Sequence, residues 1–189
     1  QGGSESVASS ATSAVANVND DPTGSVTITG TVAEDSVLTA ANTLADEDGM
    51  GTVTYTWSNG ATGATVTLAQ SDVGNAMTVT ATYTDAQGGS ESVASSATSA
   101  VANVNDDPTG SVTISGTATE DQVLTAANTL ADEDGLGTIS YQWARAGTAV
   151  SGATSSTYTL TQSDVGSVMT VTASFTDALC GSESGASSA

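Results

Sequence analysis

The chain has 189 residues, of which 21 are Asp or Glu and one, Arg145, is basic; with no His, its formal net charge is -20. That balance excludes nucleic acid as a partner, because phosphate binding works through a basic surface that displaces counterions, and it sets the chain against an anionic bilayer. No apolar run approaches the length that spans a membrane, so insertion is excluded too.

Acidic, aromatic-poor chains are often disordered. Here 38% of residues are hydrophobic and only 12% charged, and the apolar residues alternate with Thr and Ser in short runs, as half-buried strands require. A core is therefore expected. The lone Cys180 cannot form an intrachain disulfide, so packing, alone or together with metal, must hold the fold.

Residues 1–28 recur unchanged at 87–114, which makes the chain a tandem array with a period of 86 residues. In that phase residues 1–16 are the last strand of a preceding repeat, an orphan expected to be disordered or to pair with an exposed sheet edge of another copy. Residues 17–102 form the first repeat and 103–189 the second. No signal peptide opens the chain and its first residue lies inside a repeat, so the sequence reads as an excerpt of a longer one.

Within the first repeat the predicted strands are 25–30 (SVTITG), 36–42, 52–58 (TVTYTWS), 64–68, 76–84 (AMTVTATYT) and 89–101, separated by turn residues. Runs such as VTVTATYT are β-branched and have period two, which a helix cannot place on one face, so almost no helix is expected. Several short strands in a unit of under a hundred residues predict an all-β fold: two tandem Greek-key β-sandwiches joined by a short acidic linker.

Trp57 and Trp143 stand mid-strand and read as core residues, with sugar stacking as the alternative. Met77, Val79 and Tyr83 are expected to pack with Leu38, Tyr55 and Trp57, each burial contributing about 1.5–3 kcal/mol. After the Trp strand the second copy carries six extra residues, because Leu68 corresponds to Leu160 at an offset of 92. Loops lengthen there at little entropic cost.

The mid-strand Trp, followed by SDVG at Ser71–Gly74 and Ser163–Gly166, resembles the immunoglobulin-type sandwich over nearly the whole chain. Ala76 and Thr78 stand where that family places a Tyr and a Cys, so the tyrosine corner and the disulfide are both absent.

Three acidic groups recur in turns: Asn17, Asn19, Asp20 and Asp21 with their counterparts Asn103, Asn105, Asp106 and Asp107; Glu34 and Asp35 with Glu120 and Asp121; and Asp46 and Asp48 with Asp132 and Asp134. Such loops supply the six to eight hard oxygens that calcium takes, whereas zinc is not served by no His and one Cys. The ordinary reading is an Asx turn stiffened by Pro and a polar turn with Gly at positive φ. In a sandwich the linker NVNDDP should neighbour DEDG, while Glu34 and Asp35 should face the following linker, Asn103–Asp107. Unscreened carboxylates so close would repel one another, so an intervening cation is expected to stiffen the array of neighbouring repeats into a rod.

The linker is similar to the calcium-binding linker of cadherins, with Asn103, Asn105, Asp106 and Pro108 matching most nearly. The unit as a whole, with NVNDDP, DEDG and YTD-x-x-G, resembles the immunoglobulin-like or cadherin-like extender repeats of large bacterial adhesins exported by type I secretion. That resemblance implies an extracellular cell-surface location, calcium, and a role in biofilm or host contact. The function expected is a structural spacer. Two alternatives remain open: a filament or surface-layer subunit self-associating through strand 1–16, and a carbohydrate-binding module using the loop Ala144–Ser156. An enzyme is not expected, since composition removes His triads, zinc hydrolysis and Lys chemistry.

Overall fold

The computed structural model describes residues 1–178 and 182–186. Cys180 lies outside the described residues. The first copy contains β1 (Val26–Thr29), β2 (Val37–Asn42), β3 (Thr54–Trp57), β4 (Thr65–Thr67), β5 (Val79–Thr84) and β6 (Ser90–Ala94). The second contains β7 (Val112–Ser115), β8 (Val123–Asn128), β9 (Ser140–Arg145), β10 (Thr148–Ala149), β11 (Thr157–Thr159), β12 (Met169–Thr176) and β13 (Ser182–Ala186). The only helical segments among the described residues are single 3-10 turns at Gln70–Asp72 and Gln162–Asp164. No described helix is long and apolar enough to cross a membrane.

The strands form four antiparallel sheets, none closed into a barrel: β1-β2-β4 and β3-β5-β6 in the first copy, and β11-β8-β7 and β10-β9-β12-β13 in the second. The architecture is all-β. By contact the chain divides into two compact units, the first comprising 1–32, 36–67 and 75–100, the second 33–35, 68–74 and 101–189.

In the first unit, strand alternation places Leu38 and Ala40 of β2, Trp57 of β3, and Val79, Ala81 and Tyr83 of β5 inward, with Met77 just ahead of β5, and all are buried. Antiparallel pairing of Trp57 with Val79 and of Tyr55 with Ala81 fixes the register, because a slip of one residue would turn every side chain to the other face. Asn42 donates its side-chain amide to the Tyr55 hydroxyl, and Asn128 repeats the bond to Tyr141 at 2.7 Å in the second unit.

In the second unit, Val112, Leu124, Ala126, Trp143, Val171, Ala173 and Phe175 form one core cluster drawn from both of its sheets. Both indoles are satisfied internally: Trp57 Nε1 donates to Gly63 O and Trp143 Nε1 to Ser155 O, each at 2.9 Å. Neither ring face is open for stacking a sugar, and Trp143 stacks on Tyr158 with centroids 5.7 Å apart.

The six extra residues extend β9 and add β10, which pairs Thr148 with Arg145 across a two-residue turn. Ala146 and Gly147 both have positive φ, 44° and 80°, the conformation whose twist suits a tight hairpin. Arg145 is committed there to an ion pair with Asp164 at 2.6 Å.

Residues 1–22 contain no strand, and Val7, Val15 and Val18 are all exposed. One expectation for the strands requires correction: the strand expected over 89–101 stops at Ala94. Beyond it, Ser95 N donates to Val79 O and Thr98 N to Met77 O, both at 2.9 Å, so three steps on one side span two on the other and the ladder bulges.

Candidate metal centres

Two groups of carboxylates among the described residues could hold a metal ion: Asp46, Asp85 and Glu91, and Glu34, Asp106 and Glu133, with one oxygen from each residue within 4.8 Å of the others in its group.

The first group is assembled from three local structures. Asp46 opens the DEDG turn, where its Oδ1 accepts the Asp48 amide at 2.8 Å and Gly49 supplies a φ of 90°. Asp85 follows β5, and its Oδ1 accepts the amides of Gln87 and Gly89 at 2.7 and 2.8 Å. Glu91 lies on β6 opposite Tyr83, an acidic side chain on the inward face of a strand. Tyr83 donates its hydroxyl to Asp46 Oδ2 at 2.6 Å. Burial of the phenol, then that bond to Asp46, holds the Tyr83 hydroxyl above its usual range.

The linker closes this group. Asn19 donates its amide to Glu91 Oε1 at 3.0 Å, and the Asp20 amide donates to Asp48 Oδ2 at 2.8 Å. Asp85 is 6% exposed, yet its Oδ2 is buried without a hydrogen-bond partner. A Cβ placed on Gly89 would collide with both that oxygen and Asn19 Oδ1. Two oxygens without a donor between them therefore converge beside a residue that has no side chain. A hard cation satisfies such a cluster, and an orphaned buried carboxylate oxygen is costly without one. The residues fit a metal of that class.

The second group lies in the second unit. Glu34 is buried, and Asp35 beside it has a φ of 57°. Glu34 N donates to Ala102 O at 2.9 Å, and Glu34 Oε2 accepts the Val104 amide at 3.4 Å. Burial pushes the Glu34 carboxyl above its ordinary value; the Val104 amide opposes this, and the charges of Asp106, Asp35 and Asp134 add to it. Asp106 is also raised, by burial first and then by Asp134, Asp35, Asp132 and Asp107. Asp106 Oδ2 and Asn103 Oδ1 are buried without partners.

Around it the first group's arrangement recurs in part. The Asp106 amide donates to Asp134 Oδ2 at 3.0 Å, Asn105 donates to Glu183 Oε1 at 2.9 Å, and Asp132 Oδ1 accepts the Asp134 amide at 2.9 Å. Gln70 Nε2 also reaches Asp134 Oδ1, at 3.3 Å.

Of the residues singled out in the sequence, Asp46 joins the first group and Glu34 and Asp106 the second. Asn19, Asp20, Asp48, Asn105 and Asp134 brace the groups through hydrogen bonds, as just described. Asp132 and Asn103 each bring a buried unpartnered oxygen to the second copy's linker region. Asn17, Asp21 and Asp107 are exposed and join neither group, as do Glu120 and Asp121, although Asp121 repeats the positive φ of Asp35 at 63°.

Sequence reasoning missed Asp85, Glu91 and Glu133. The signals were present in YTD-x-x-G and in the glutamate of SES, an acidic side chain interrupting a strand. No protein-family model and no curated protein sequence matches the chain.

Proposed function

We propose that the chain is a spacer segment of a repetitive bacterial cell-surface adhesin, built from two tandem immunoglobulin-like Greek-key sandwiches and stiffened by calcium bound where its acidic linkers meet the repeats. It acts through reach and not through catalysis, in an extracellular setting where free calcium is plentiful.

The observation that carries this reading is the convergence of Asn19, Asp46, Asp85 and Glu91, with Asp85 Oδ2 unpartnered. An ion there is ligated at once by the linker, through Asn19, and by the body that the linker enters, through the other three. Tying the linker to the body it enters removes freedom from that end of the connection. Calcium suits an all-oxygen, partly neutral donor set that still leaves room for water. The unchanged repetition of residues 1–28 at 87–114 supports a spacer, in which number matters more than individual surfaces.

The test is thermal melting with small-angle scattering, in calcium and then in chelator. Calcium should raise the melting temperature and lengthen the particle. Superimposable melts and scattering curves would remove the stiffening role.

A further inference from the structure

The turn between β3 and β4 carries the chain's one Asn–Gly pair, Asn59–Gly60; each of the other seven asparagines precedes a residue with a side chain. Both residues of the pair are exposed. Asn59 Oδ1 accepts the Ala61 amide at 3.1 Å, an Asx turn that folds the side-chain carboxamide back over the Asn59–Gly60 peptide. Gly60 has a φ of 89°, and a Cβ placed there would meet no atom within 4 Å, so the peptide nitrogen is uncrowded.

This turn is tied to the core. Trp57 N donates to Ala61 O at 2.8 Å and Gly60 N to Trp57 O at 2.9 Å, while the buried indole of Trp57 donates to Gly63 O. In the second copy the residues 86 positions on are Arg145 and Ala146, which bring no side-chain amide to the turn.

We infer that Asn59 is a site of spontaneous deamidation, an irreversible ageing mark that the first copy acquires in this turn and the second does not. The Gly60 nitrogen, released from Trp57 O and stripped of its proton by base, attacks Asn59 Cγ. The Gly60 N–Cγ bond forms, the Cγ–Nδ2 bond breaks, and ammonia leaves with a proton. Water then opens the five-membered imide at either carbonyl, leaving an aspartyl or an isoaspartyl residue with one more negative charge. The Ala61 amide, already on Oδ1, stabilises the oxyanion that develops there as the nitrogen adds. Release of Gly60 N opens only an exposed turn, which costs far less than opening the core ladder. The isoaspartyl product adds an atom to the backbone inside the loop that Trp57 N and Ala61 O close, so it loosens the turn around Trp57.

Peptide mapping of the intact chain, incubated for weeks at mildly alkaline pH, tests this. The peptide holding Asn59 should gain the mass of an amide turned to acid at least tenfold faster than any other asparagine peptide, and Gly60→Ala should slow that gain about tenfold. Gly60 makes no core contact, so this variant keeps the fold, and its methyl shields the attacking nitrogen. The isoaspartyl fraction should melt below the unaged chain, whereas Asn59→Asp, which adds the charge without lengthening the backbone, should melt with it. An amide retained at Asn59, a gain spread evenly over the asparagines, an unchanged rate in Gly60→Ala, or an isoaspartyl fraction that melts with the unaged chain would each overturn the inference.

Discussion

Tyr83 donates its hydroxyl to Asp46 Oδ2 at 2.6 Å, and Phe175 stands at the equivalent position in the second copy. The consequence is visible one turn away: Asp132, the counterpart of Asp46, has its Oδ2 buried without a partner. One hydroxyl separates a satisfied carboxylate from an orphaned one. Phe175→Tyr should therefore stabilise the calcium-free protein by about 1 kcal/mol, the net contribution of a buried hydrogen bond, measured by denaturant unfolding in chelator. No gain in midpoint would mean that the introduced hydroxyl fails to meet Asp132.

Gly89 gives a test of the first carboxylate group that changes no charge. A methyl at this position would occupy the space where Asn19 Oδ1 and Asp85 Oδ2 converge. If calcium binds as proposed, Gly89→Ala and Asp85→Asn should each lose most of the resulting stabilisation, which for a ligand at a hundred times its dissociation constant is about 2.7 kcal/mol. Calcium titrations followed by melting temperature measure this. Retention of the full calcium response by both variants would show that the ion binds elsewhere.

Glu34 and Asp106 set a pH dependence of known sign. Their carboxyls sit above their ordinary values in the folded chain, so the native state holds protons that the unfolded state has released. Stability from these groups is present below the unfolded values near 4 and is lost as pH rises through the folded ones. In chelator the melting temperature should fall from about pH 4 toward neutrality, and calcium, by neutralising the cluster, should reduce that fall. Glu34→Gln should raise the melting temperature at neutral pH in chelator and lower it in calcium. A shift of the same sign in both conditions would separate Glu34 from the ion.

Asp164 behaves in the opposite sense. Burial alone would raise its carboxyl, but the Thr161 amide and hydroxyl, Arg145 and Tyr158 outweigh it and hold it down at about 2. Its contribution is complete above the unfolded value near 4 and disappears as pH falls through about 2. Asp164→Asn should cost about 1–3 kcal/mol at neutral pH, and the difference from wild type should vanish in strong acid. The Arg145 side chain is about a third exposed, which keeps the ion pair itself a modest part of this.

Much of the fold was legible because strand formation is local. Alternation in VTYTW and MTVTATYT placed Trp57, Met77, Val79 and Tyr83 inward, and the observed pairing of Trp57 with Val79 puts them there. The break at Ala94 was not legible, because SVASSATSAVA keeps an even composition while its partner changes from β5 to Ala76 and then Val73.

The sequence by itself determined the repeat, the strand faces and the acidic turns, since each depends on residue type and short-range order. Only the tertiary structure decided which carboxylates meet. Asp46 is joined by Asp85 and Glu91 because the antiparallel pairing of β5 with β6 sets Glu91 opposite Tyr83, and Tyr83 is bonded to Asp46. Contact between residues so far apart along the chain is fixed by how strands pair, which no local pattern of side chains encodes.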